Sequence, residues 1–410
     1  MHQGSGLRYN RVMSEITREK INQAAAMMTA SEIDVWITFV RETYGAEDPV
    51  VGLLVEGGLT WQSALLVSRT GRKNAVVGAY DADPLVESGD WDQVIGYHQS
   101  IKEPLLAALD ALVPADIARP KLAVNFSESD DKADGLTHGM FRLLCRYLVG
   151  TRFAEGMVSA EPILRALRGR KTPSELARMA EAIVETDRLF WEIGEMARPG
   201  TSERAIYDQV HARIHDRKLG FAWDAAGDPI VNCGPESPIG HTMASDHRVL
   251  ALGHLLHVDL GVTKDGYSSD LQRCWYLGNT VPELLRRACD VVVGTIRAGF
   301  AALKPGVTGW EVDAAARAFL TSAGYPEYLH ALGHQVGRMA HDGGGLLGPR
   351  WERYGQTPFF PVECGQVYTL ELGVAVEGYG HFDLEEMVVV TETGCRWLST
   401  PQTEVWCVVA

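Results

Sequence analysis

Two stretches of the chain repeat one order of features, and this internal repeat restricts the fold more than any single element does. Residues 174–220 and 282–325 each carry Glu-Leu at their second and third positions, continue as a long amphipathic run, break at Pro-Gly, resume after a Ser or Thr and end near Gly. Strand-like sequence that carries polar residues follows each copy. Pro-Gly breaks are common between helices, but the shared order of the features makes chance a poor explanation. The repeat predicts two related halves with pseudo-two-fold symmetry and a site between their sheets.

The N-terminal part of the chain follows a different pattern. Residues 12–150 alternate between helical and strand periodicity, and they include a hairpin that turns at Gly71. This alternation predicts a small α/β domain with a mixed sheet. Small and polar residues then interrupt the pattern over residues 150–160, where a domain boundary is expected.

Length and helix-start signals agree with two domains. A chain of 410 residues is longer than one hydrophobic core usually serves. Thr172, Pro173 and Glu175 form the N-cap, first helical position and capping-box partner of a new helix. We therefore expect an N-terminal α/β domain over residues 1–156 and a second domain over residues 157–410.

Composition narrows the class of function. The formal net charge of -15 disfavours binding to nucleic acid and to anionic membranes. No apolar run is long enough for a membrane span, and the first residues lack a signal or transit pattern. The seven cysteines are scattered without a CxxC pair, which is typical of free thiols in a reducing compartment. We expect a cytoplasmic protein.

Two aspartates stand in sequence that otherwise predicts buried β-structure. Asp259 interrupts the apolar run LLHVDLGV, and Asp270 follows it by eleven residues. A two-residue turn at 264–265 would place Asp270 opposite Asp259, whereas a turn at 265–266 would place it opposite Gly261. Both registers put the two carboxylates on one face of the sheet. Such carboxylates repel unless a cation lies between them; the alternative is a pair of solvated aspartates.

Three histidines, His330, His334 and His341, lie close together in the sequence HALGHQVGRMAH. A single histidine is most often structural. The HxxxH spacing also lacks the glutamate of the HExxH zinc helix. A zinc peptidase of the HExxH type is therefore excluded, and the histidines have to be considered together with the acidic residues.

Glutamates complete the pattern. Glu371 lies inside the apolar strand pattern VYTLELGVAV, and Glu385 and Glu386 stand at the head of a β-branched run. A buried glutamate in a strand is costly unless it is paired or binds a metal. The candidate metal ligands are Asp259, Asp270, His334, Glu371 and Glu385. Four carboxylates and one imidazole suit two divalent ions such as Mn, Co or Zn, and not a structural Cys/His zinc site.

This ordered set resembles the M24 metallopeptidases of the pita-bread fold. Their hallmark is an Asp, a second Asp about eleven residues later, a His in a glycine-flanked GH, and two late Glu residues. The match extends over roughly residues 160–400. The N-terminal region is similar to the extra domain of the creatinase, prolidase and aminopeptidase P branch. The resemblance implies a creatinase/prolidase-like α/β domain followed by a pita-bread α+β domain with pseudo-two-fold symmetry.

The resemblance also implies an activity and roles for individual residues. It implies a metal-dependent exopeptidase that cleaves the bond before proline, most simply an Xaa-Pro dipeptidase, in a homodimer whose small domain borders the partner's active site. Glu371 would be the general base among the ligands, with Asp270 and Glu385 bridging two ions. His241 and His341 match positions that contact substrate and stabilise the tetrahedral intermediate, and His330 is a further substrate-binding candidate.

The sequence departs from this branch at two positions. Asp383 stands where the branch usually carries an Arg, two residues before the last ligand, and Leu372 stands where it usually carries a Pro. Bidentate Arg is the strongest side-chain partner for a carboxylate, so the usual anchor for a dipeptide's free carboxylate is missing. Arg338 is the predicted replacement; Arg350 and Arg353 are the alternatives.

Three other functions stay open. An Xaa-Pro aminopeptidase, or a broader aminopeptidase, would not need the carboxylate anchor. A creatinase-like hydrolase works without metal, but it would leave the clustered carboxylates repelling one another. A non-catalytic pita-bread module that binds peptides or proteins typically lacks some of the ligands, whereas all five are present here.

Overall fold

The computed structural model describes residues 3–44, 48–238, 240 and 242–408. It divides into two compact units, Met1–Arg168 and Gly169–Ala410. Among the described residues, none of the helices combines the length and the apolar character that a membrane crossing requires. The two-unit organisation agrees with the prediction.

The first unit contains, in chain order, α1 (Gln3–Thr29), β1 (Val35–Val40), α2 (Val51–Leu54), β2 (Ser63–Ser68), β3 (Lys73–Gly78), α3 (Ala82–Ser88), β4 (Gln93–Tyr97), α4 (Lys102–Leu112), β5 (Leu122–Val124), α5 (His138–Leu148), β6 (Met157–Ser159) and α6 (Glu161–Gly169). The strands form one sheet in the order β4-β3-β2-β1-β5-β6. Parallel and antiparallel pairs both occur in it, which confirms the predicted mixed sheet.

Alternating residues of β1 explain why helices cover both faces of this sheet. Ile37 and Phe39 pack into a cluster with α4 and α5, while Trp36 and Val40 pack into a second cluster with α1 and α6. Successive side chains of a strand point to opposite faces, so a strand covered on both sides carries apolar residues on both faces. The hairpin between β2 and β3 turns at Gly71, whose φ of 79° favours glycine.

The boundary between the units lies later than the sequence suggested, after Arg168 and not at residue 156. Strand β6 pairs in parallel with β5 and so extends the first sheet. Helix α6 then buries Leu164 and Leu167 in the same cluster as Trp36. The polar residues near 150–160 are therefore a loop within the first unit, because the tertiary packing of the following strand and helix outweighs their local composition.

The second unit contains, in chain order, α7 (Pro173–Met196), α8 (Glu203–Asp216), β7 (Gly220–Phe221), β8 (Ile230–Cys233), β9 (Leu255–Leu260), β10 (Val262–Lys264), β11 (Tyr267–Ser268), β12 (Leu271–Leu277), α9 (Glu283–Ala302), α10 (Gly309–Ser322), β13 (Gly333–His334), β14 (Leu346–Leu347), β15 (Val367–Val376), β16 (Gly380–Val390), β17 (Cys395–Trp397) and β18 (Trp406–Val408). Its main sheet has seven strands. Five of them run in the order β15-β16-β12-β9-β8, while β17 pairs with β16 and β18 with β12.

Both copies of the repeat form a helix pair, α7 with α8 and α9 with α10. The capping box at α7 is present: the Thr172 N–H donates to Glu175 Oε2 at 2.7 Å, and the Glu175 N–H donates to Thr172 Oγ1 at 3.3 Å. Thr308 and Glu311 form the equivalent box at α10. Helix α9 packs on β15 and β16, and α7 packs on β10 and β11. The predicted pattern of helices is confirmed.

The apolar residues of β15 and β16 hold the sheet against α9. Leu370 and Leu372 flank Glu371 in β15, and they are buried in one cluster with Leu384 and with Ile296 of α9. Because side chains alternate along a strand, Glu371 points to the other face. Burial of the leucines against the helix thus fixes which face of the sheet carries the acidic residue.

Candidate metal centre

Four polar side chains cross the seven-stranded sheet in one line. Glu371 on β15 pairs with Glu385 on β16, and Glu385 pairs with Gln272 on β12. Gln272 pairs in turn with Asp259 on β9. Directly paired residues of antiparallel strands point to the same side of a sheet. These four side chains, named the central row here, therefore share one face.

Asp270 reaches the same face from the loop just before β12. The turn between β10 and β11 consists of Asp265 and Gly266, with positive φ of 48° and 79°. This is the second of the two registers that the sequence allowed, and the ladder between β9 and β12 continues it. Asp270 precedes Gln272 by two residues, so it lies on the face of the central row, diagonal to Asp259.

His334 is brought onto this face by a segment that lies directly against β15. The backbone N–H of Glu371 donates to the carbonyl of Leu332 at 2.7 Å, and the N–H of His334 donates to Thr369 Oγ1 at 3.2 Å. A Cβ atom at Gly333 would lie 1.9 Å from the carbonyl oxygen of Thr369. The glycine before the histidine therefore permits the close approach of the two backbones.

The imidazole of His334 points its Nε2 at three carboxylates. Nε2 lies 3.6 Å from Asp270 Oδ2, 3.5 Å from Glu371 Oε1 and 3.8 Å from Glu385 Oε1. Its Nδ1 lies 3.1 Å from the carbonyl oxygen of Ala340. A carbonyl only accepts, so Nδ1 carries the proton and Nε2 offers a lone pair toward the carboxylates. This is the tautomer that a metal ligand requires.

Burial of the carboxylates works against their charge. Burial and repulsion by their neighbours raise the pKa of Asp259, Asp270 and Glu371 well above its ordinary value, and burial raises the pKa of Glu385 to about 7. Asp259 Oδ1 and Glu385 Oε1 are buried without a hydrogen-bond partner in the part of the chain that the structure describes. A cation at this face would relieve the repulsion between the carboxylates and would give these two oxygens a partner.

The donor set fits divalent metal ions. Donor atoms of Asp270, His334 and Glu385 all lie within 4.8 Å of one another. Oxygen and nitrogen ligands bind such ions at about 2.0–2.2 Å, so donors around one ion are separated by roughly 3–4 Å, which is close to the spacings observed around His334. Carboxylates with one imidazole suit hard or borderline ions. With such ions bound, the site has the composition of a hydrolytic metal centre.

Gln272 is part of the site and was not anticipated from the sequence. Its Nε2 donates to Glu371 Oε2 at 3.2 Å and to Glu385 Oε2 at 3.0 Å. Its Oε1 lies 3.0 Å from His257 Nε2, and His257 Nδ1 lies 2.9 Å from Asn232 Oδ1. The carboxamide thereby links two candidate ligands to a buried polar chain. Its position two residues after Asp270 on one strand face was the available signal.

The imidazole ring of His341 packs against the ring of the candidate ligand His334. The two ring centroids are 4.1 Å apart, and His341 is exposed. Burial, together with the neighbouring His341, lowers the pKa of His334 to about 3, so its imidazole is neutral, as ligation requires. The substrate role of His341 stays a prediction. His241, the other predicted catalytic histidine, lies outside the described residues.

The two remaining predicted substrate contacts, His330 and Arg338, have described bonds with residues outside the candidate ligand set. His330 is exposed, and its Nδ1 lies 2.7 Å from the carbonyl oxygen of Ala331. The backbone N–H of Arg338 donates to Asp342 Oδ2 at 2.5 Å, and the carbonyl of Arg338 accepts a bond from Ser268 Oγ at 3.3 Å. The substrate roles of His330 and Arg338 remain predictions.

Comparison with known proteins agrees with this centre. Two archaeal proteins named Xaa-Pro dipeptidase are similar to the chain: that of Pyrococcus furiosus is 29% identical over 60% of this chain and 67% of its own length, and that of Pyrococcus horikoshii is 28% identical over 60% and 66%. The matched stretch thus spans about two thirds of these relatives. The crystal structure of dipeptidase PepE from Mycobacterium ulcerans shares the fold, with a TM-score of 0.71, 24% identity, and coverage of 97% of this chain and 99% of that one.

The fold predicted from the sequence, an α/β domain followed by a pita-bread domain, is confirmed by this likeness. The model of the metallopeptidase family M24 matches residues 177–392. This range contains all of the candidate ligands, in the order in which that family is expected to carry them. The chain therefore belongs to metallopeptidase family M24.

Proposed function

We propose that the protein is a metal-dependent exopeptidase that hydrolyses the peptide bond before proline, and that it acts as an Xaa-Pro dipeptidase. The observation that carries the proposal is the convergence of Asp270, Glu371 and Glu385 on the Nε2 of His334, at 3.5–3.8 Å. Family membership supports hydrolysis, and the names of the Pyrococcus relatives support the Xaa-Pro specificity.

The five candidate ligands would hold two divalent ions, Mn, Co or Zn. These are Asp259, Asp270, His334, Glu371 and Glu385. When bound, the ions would supply a Lewis acid and lower the pKa of water to near neutrality. The fixed tautomer of His334 keeps its Nε2 lone pair directed at the site. Gln272 holds the two glutamates from the side remote from His334.

Glu371 is the proposed general base. Its side chain is 21% exposed, against 6% for Asp270 and 2% for Glu385. It is therefore the most accessible of these three carboxylates to a water molecule beside the substrate. A positioned carboxylate that takes the proton of the attacking water accelerates hydrolysis. Its burial raises its proton affinity, which suits this role.

His341 and His241 are proposed to donate hydrogen bonds to the oxyanion that develops at the scissile carbonyl. The exposed ring of His341 lies against that of His334, with the ring planes tilted by 42°, which supports a hydrogen bond from His341 to a carbonyl bound at the centre. Donors placed for the transition state commonly contribute about 10²-fold to the rate. His330 is proposed to contact the substrate at a greater distance from the metal centre. Arg338 is proposed to bind the free carboxylate of the dipeptide.

Two properties of the whole molecule belong to this proposal. The cysteines are all free, which supports a cytoplasmic enzyme because reduced thiols persist there. A homodimer is proposed from the resemblance to the creatinase, prolidase and aminopeptidase P branch. Sedimentation of the purified protein measures its oligomeric state directly.

An Xaa-Pro aminopeptidase is the second candidate, and one observation favours it. Asp383 stands on β16, two residues before Glu385, where an arginine would bind a substrate carboxylate. An aminopeptidase has no need of that arginine. The two candidates therefore differ in whether the enzyme binds the free carboxylate of the proline residue.

Hydrolysis of four compounds by the Mn- or Co-loaded protein tests both candidates: Ala-Pro, Ala-Ala, Ala-Pro-amide and Gly-Pro-Gly. We expect Ala-Pro to be cleaved faster than Ala-Ala and faster than the amide or the tripeptide. Equal kcat/KM for Ala-Pro and its amide would indicate an aminopeptidase with an open cleft. Absence of any hydrolysis with metal bound would favour a non-catalytic binding module.

A further inference from the structure

The two strands that carry Gln272 and Glu385 share a very short ladder. Among the described residues, β12 and β16 are in register at one pair only, Gln272 with Glu385, whereas β16 pairs with β15 at ten positions and β12 pairs with β9 at six. This single pair is the middle of the central row. A slip of β16 along β12 would therefore change the distance between Glu385 and Asp259, and the ladder itself offers little resistance to it.

The side chain of Arg273 lies on the opposite face of the sheet at this junction. Arg273 follows Gln272 on β12, so its side chain points away from the central row, and it is fully buried. Its Nη1 donates to the backbone carbonyl of Gln272 at 2.8 Å and to the backbone carbonyl of Glu385 at 2.9 Å. One guanidinium nitrogen thus joins the backbones of the two residues that pair across the junction.

Glu386, the residue after Glu385 on β16, holds this guanidinium in place. Its Oε1 lies 3.1 Å from Arg273 Nη1, and its Oε2 accepts a hydrogen bond from Nη2 at 3.1 Å. The same carboxylate accepts bonds from Ser399 Oγ at 2.6 Å and from the N–H of Gln402 at 2.8 Å. Both charged side chains are 1% exposed. Because a buried ion pair adds little net stability compared with apolar residues, its place at this junction indicates a role in fixing geometry.

We propose that Arg273 and Glu386 are positioning residues for the metal centre, which fix Glu385 relative to Gln272 and Asp259 from the opposite face of the sheet. The inference rests on the proposed function and deepens it, because it names residues that determine how tightly the ions are bound. Both residues act through the backbones of Gln272 and Glu385, since their side chains point away from the ligands. Ligand distances at such ions are held to about 0.2 Å, so a small slip of β16 is enough to weaken binding.

The test separates the geometry of the ligands from the stability of the fold. Arg273→Lys keeps the positive charge, but one ammonium group cannot replace the planar fork that joins two carbonyls to a carboxylate. Wild type and variant would be compared by Mn titration after chelation, by the visible absorption of the Co-loaded protein, which depends on ligand geometry, and by thermal unfolding. Arg152→Lys is the matched control. In the first unit, Arg152 also pairs with a carboxylate, that of Asp110, and donates to the backbone carbonyls of Val113 and Pro114.

Arg273→Lys should weaken Mn binding by about 10–100-fold, the range for residues that orient metal ligands, and should change the Co spectrum. Arg152→Lys should lower the unfolding midpoint while Mn affinity and the Co spectrum stay at their wild-type values. Should Arg273→Lys fail to fold, Glu386→Asp carries the same comparison. That variant keeps the negative charge and withdraws the carboxylate from the guanidinium by the length of one methylene group, so its effect should have the same direction.

The proposal is overturned if the folded variant binds Mn with wild-type affinity and keeps the wild-type Co spectrum, even when its unfolding midpoint is lower, because that result describes a structural role alone. Loss of folding in both Arg273→Lys and Glu386→Asp overturns it for the same reason. Failure of the proposed function is a separate result: a wild-type protein that binds Mn and Co but hydrolyses no peptide. Affinity and spectrum then still decide the proposal. A wild type that binds neither ion overturns both.

Discussion

At the scale of the residue, Gln272 shows how an uncharged side chain can organise a charged site. Its side-chain amide donates to both Glu371 and Glu385 and so orients two carboxylates that repel each other. Replacement of Gln272 by Met keeps the volume and removes the hydrogen bonds. Residues that orient metal ligands typically contribute about 10–100-fold to metal affinity or activity. We expect Gln272→Met to weaken metal binding or lower kcat/KM by this factor, as measured by metal titration and Ala-Pro hydrolysis.

A second buried glutamine provides the control. Gln402 bonds through its side chain to the backbone of Cys274 and not to the candidate ligands. Gln402→Met should lower the free energy of unfolding and leave metal affinity near the wild-type value. Equal metal affinities for wild type and Gln272→Met would show that Gln272 does not position the ligands.

The neighbouring histidines His334 and His341 should separate into a ligand and a substrate contact. His334→Ala removes the Nε2 donor that faces three carboxylates, so metal and activity should be lost together. His341→Ala and His241→Ala should retain the metal, while kcat falls by about 10²-fold, the effect expected for loss of an oxyanion donor. Metal analysis and steady-state kinetics distinguish these outcomes. Near-normal turnover in the latter two variants would remove them from the catalytic set.

Arg338 is the residue predicted to bind the carboxylate of a dipeptide. A wild-type enzyme with such an anchor should hydrolyse Ala-Pro faster than Ala-Pro-amide. Loss of a hydrogen bond to a charged group costs about 1.5–3 kcal/mol, so Arg338→Ala should reduce this preference by about tenfold or more. Kinetics with both substrates measure the ratio. An unchanged ratio in the variant would mean that another group, such as Arg350 or Arg353, binds the carboxylate.

Residue type decided how much of the site could be predicted. Each candidate ligand was visible because a charged or imidazole side chain interrupted an apolar pattern or stood in a glycine-flanked motif, as Asp259, Glu371 and His334 do. Gln272 gave no such signal, since an uncharged glutamine in a strand has little cost. The bonds of Arg273 to the backbone of the central row depend on strand register and burial, neither of which a single sequence fixes.

At the scale of the element, the placement of His334 depends on a glycine. A Cβ atom at residue 333 would clash with the Thr369 carbonyl of β15, so Gly333→Ala must push the two segments apart. Strain of this kind typically costs about 1–3 kcal/mol. We expect a lower unfolding midpoint together with weaker metal binding, because Nε2 of His334 moves with the segment. Thermal unfolding and metal titration of the variant test this.

Gly324 offers a contrasting position for that experiment. It ends the α10 region with φ of 87°, and an added Cβ atom would meet no other atom within 4 Å. Gly324→Ala should therefore cost stability through its backbone conformation alone. A Gly333→Ala protein with wild-type metal affinity would contradict the role assigned to the glycine.

Strong local sequence signals, such as helix caps, predicted the helices of the second unit correctly. Tertiary packing determined the strand bounds and the elements that join the first unit. The capping box at Thr172 and the order of features in the repeat correctly gave the helices α7 to α10. Strand β16 begins at Gly380 and not near Glu385, because its first residues complete the ladder with β15 despite their weak strand propensity. For the same reason β6 and α6 joined the first unit.

At the scale of the whole molecule, the buried carboxylates link stability to pH. The pKa of Glu385 is raised from 4.5 to about 7 by burial, so the folded state binds more protons than the unfolded state between these values. The stability that this group contributes to the metal-free protein is present at low pH and is lost as pH rises through 7. Ligand carboxylates bind metal when deprotonated, so stabilisation by Mn should grow over the same interval.

Calorimetric unfolding at about pH 5 and about pH 8, with and without Mn, measures this difference. We expect a larger increase in the unfolding midpoint at the higher pH. A ligand that binds only the folded state adds about 2.7 kcal/mol at a hundred times its dissociation constant. An increase that is equal at both pH values, or greater at the lower one, would contradict the linkage.

Removal and return of metal shows whether the carboxylates and His334 hold metal ions that the reaction requires. Protein exhaustively treated with chelator would be analysed for metal content and assayed for Ala-Pro hydrolysis during stepwise return of Mn or Co. We expect no hydrolysis without metal, and activity that rises until about two ions are bound per chain, as in two-metal hydrolytic sites. Full activity in a preparation shown to be free of metal would contradict it.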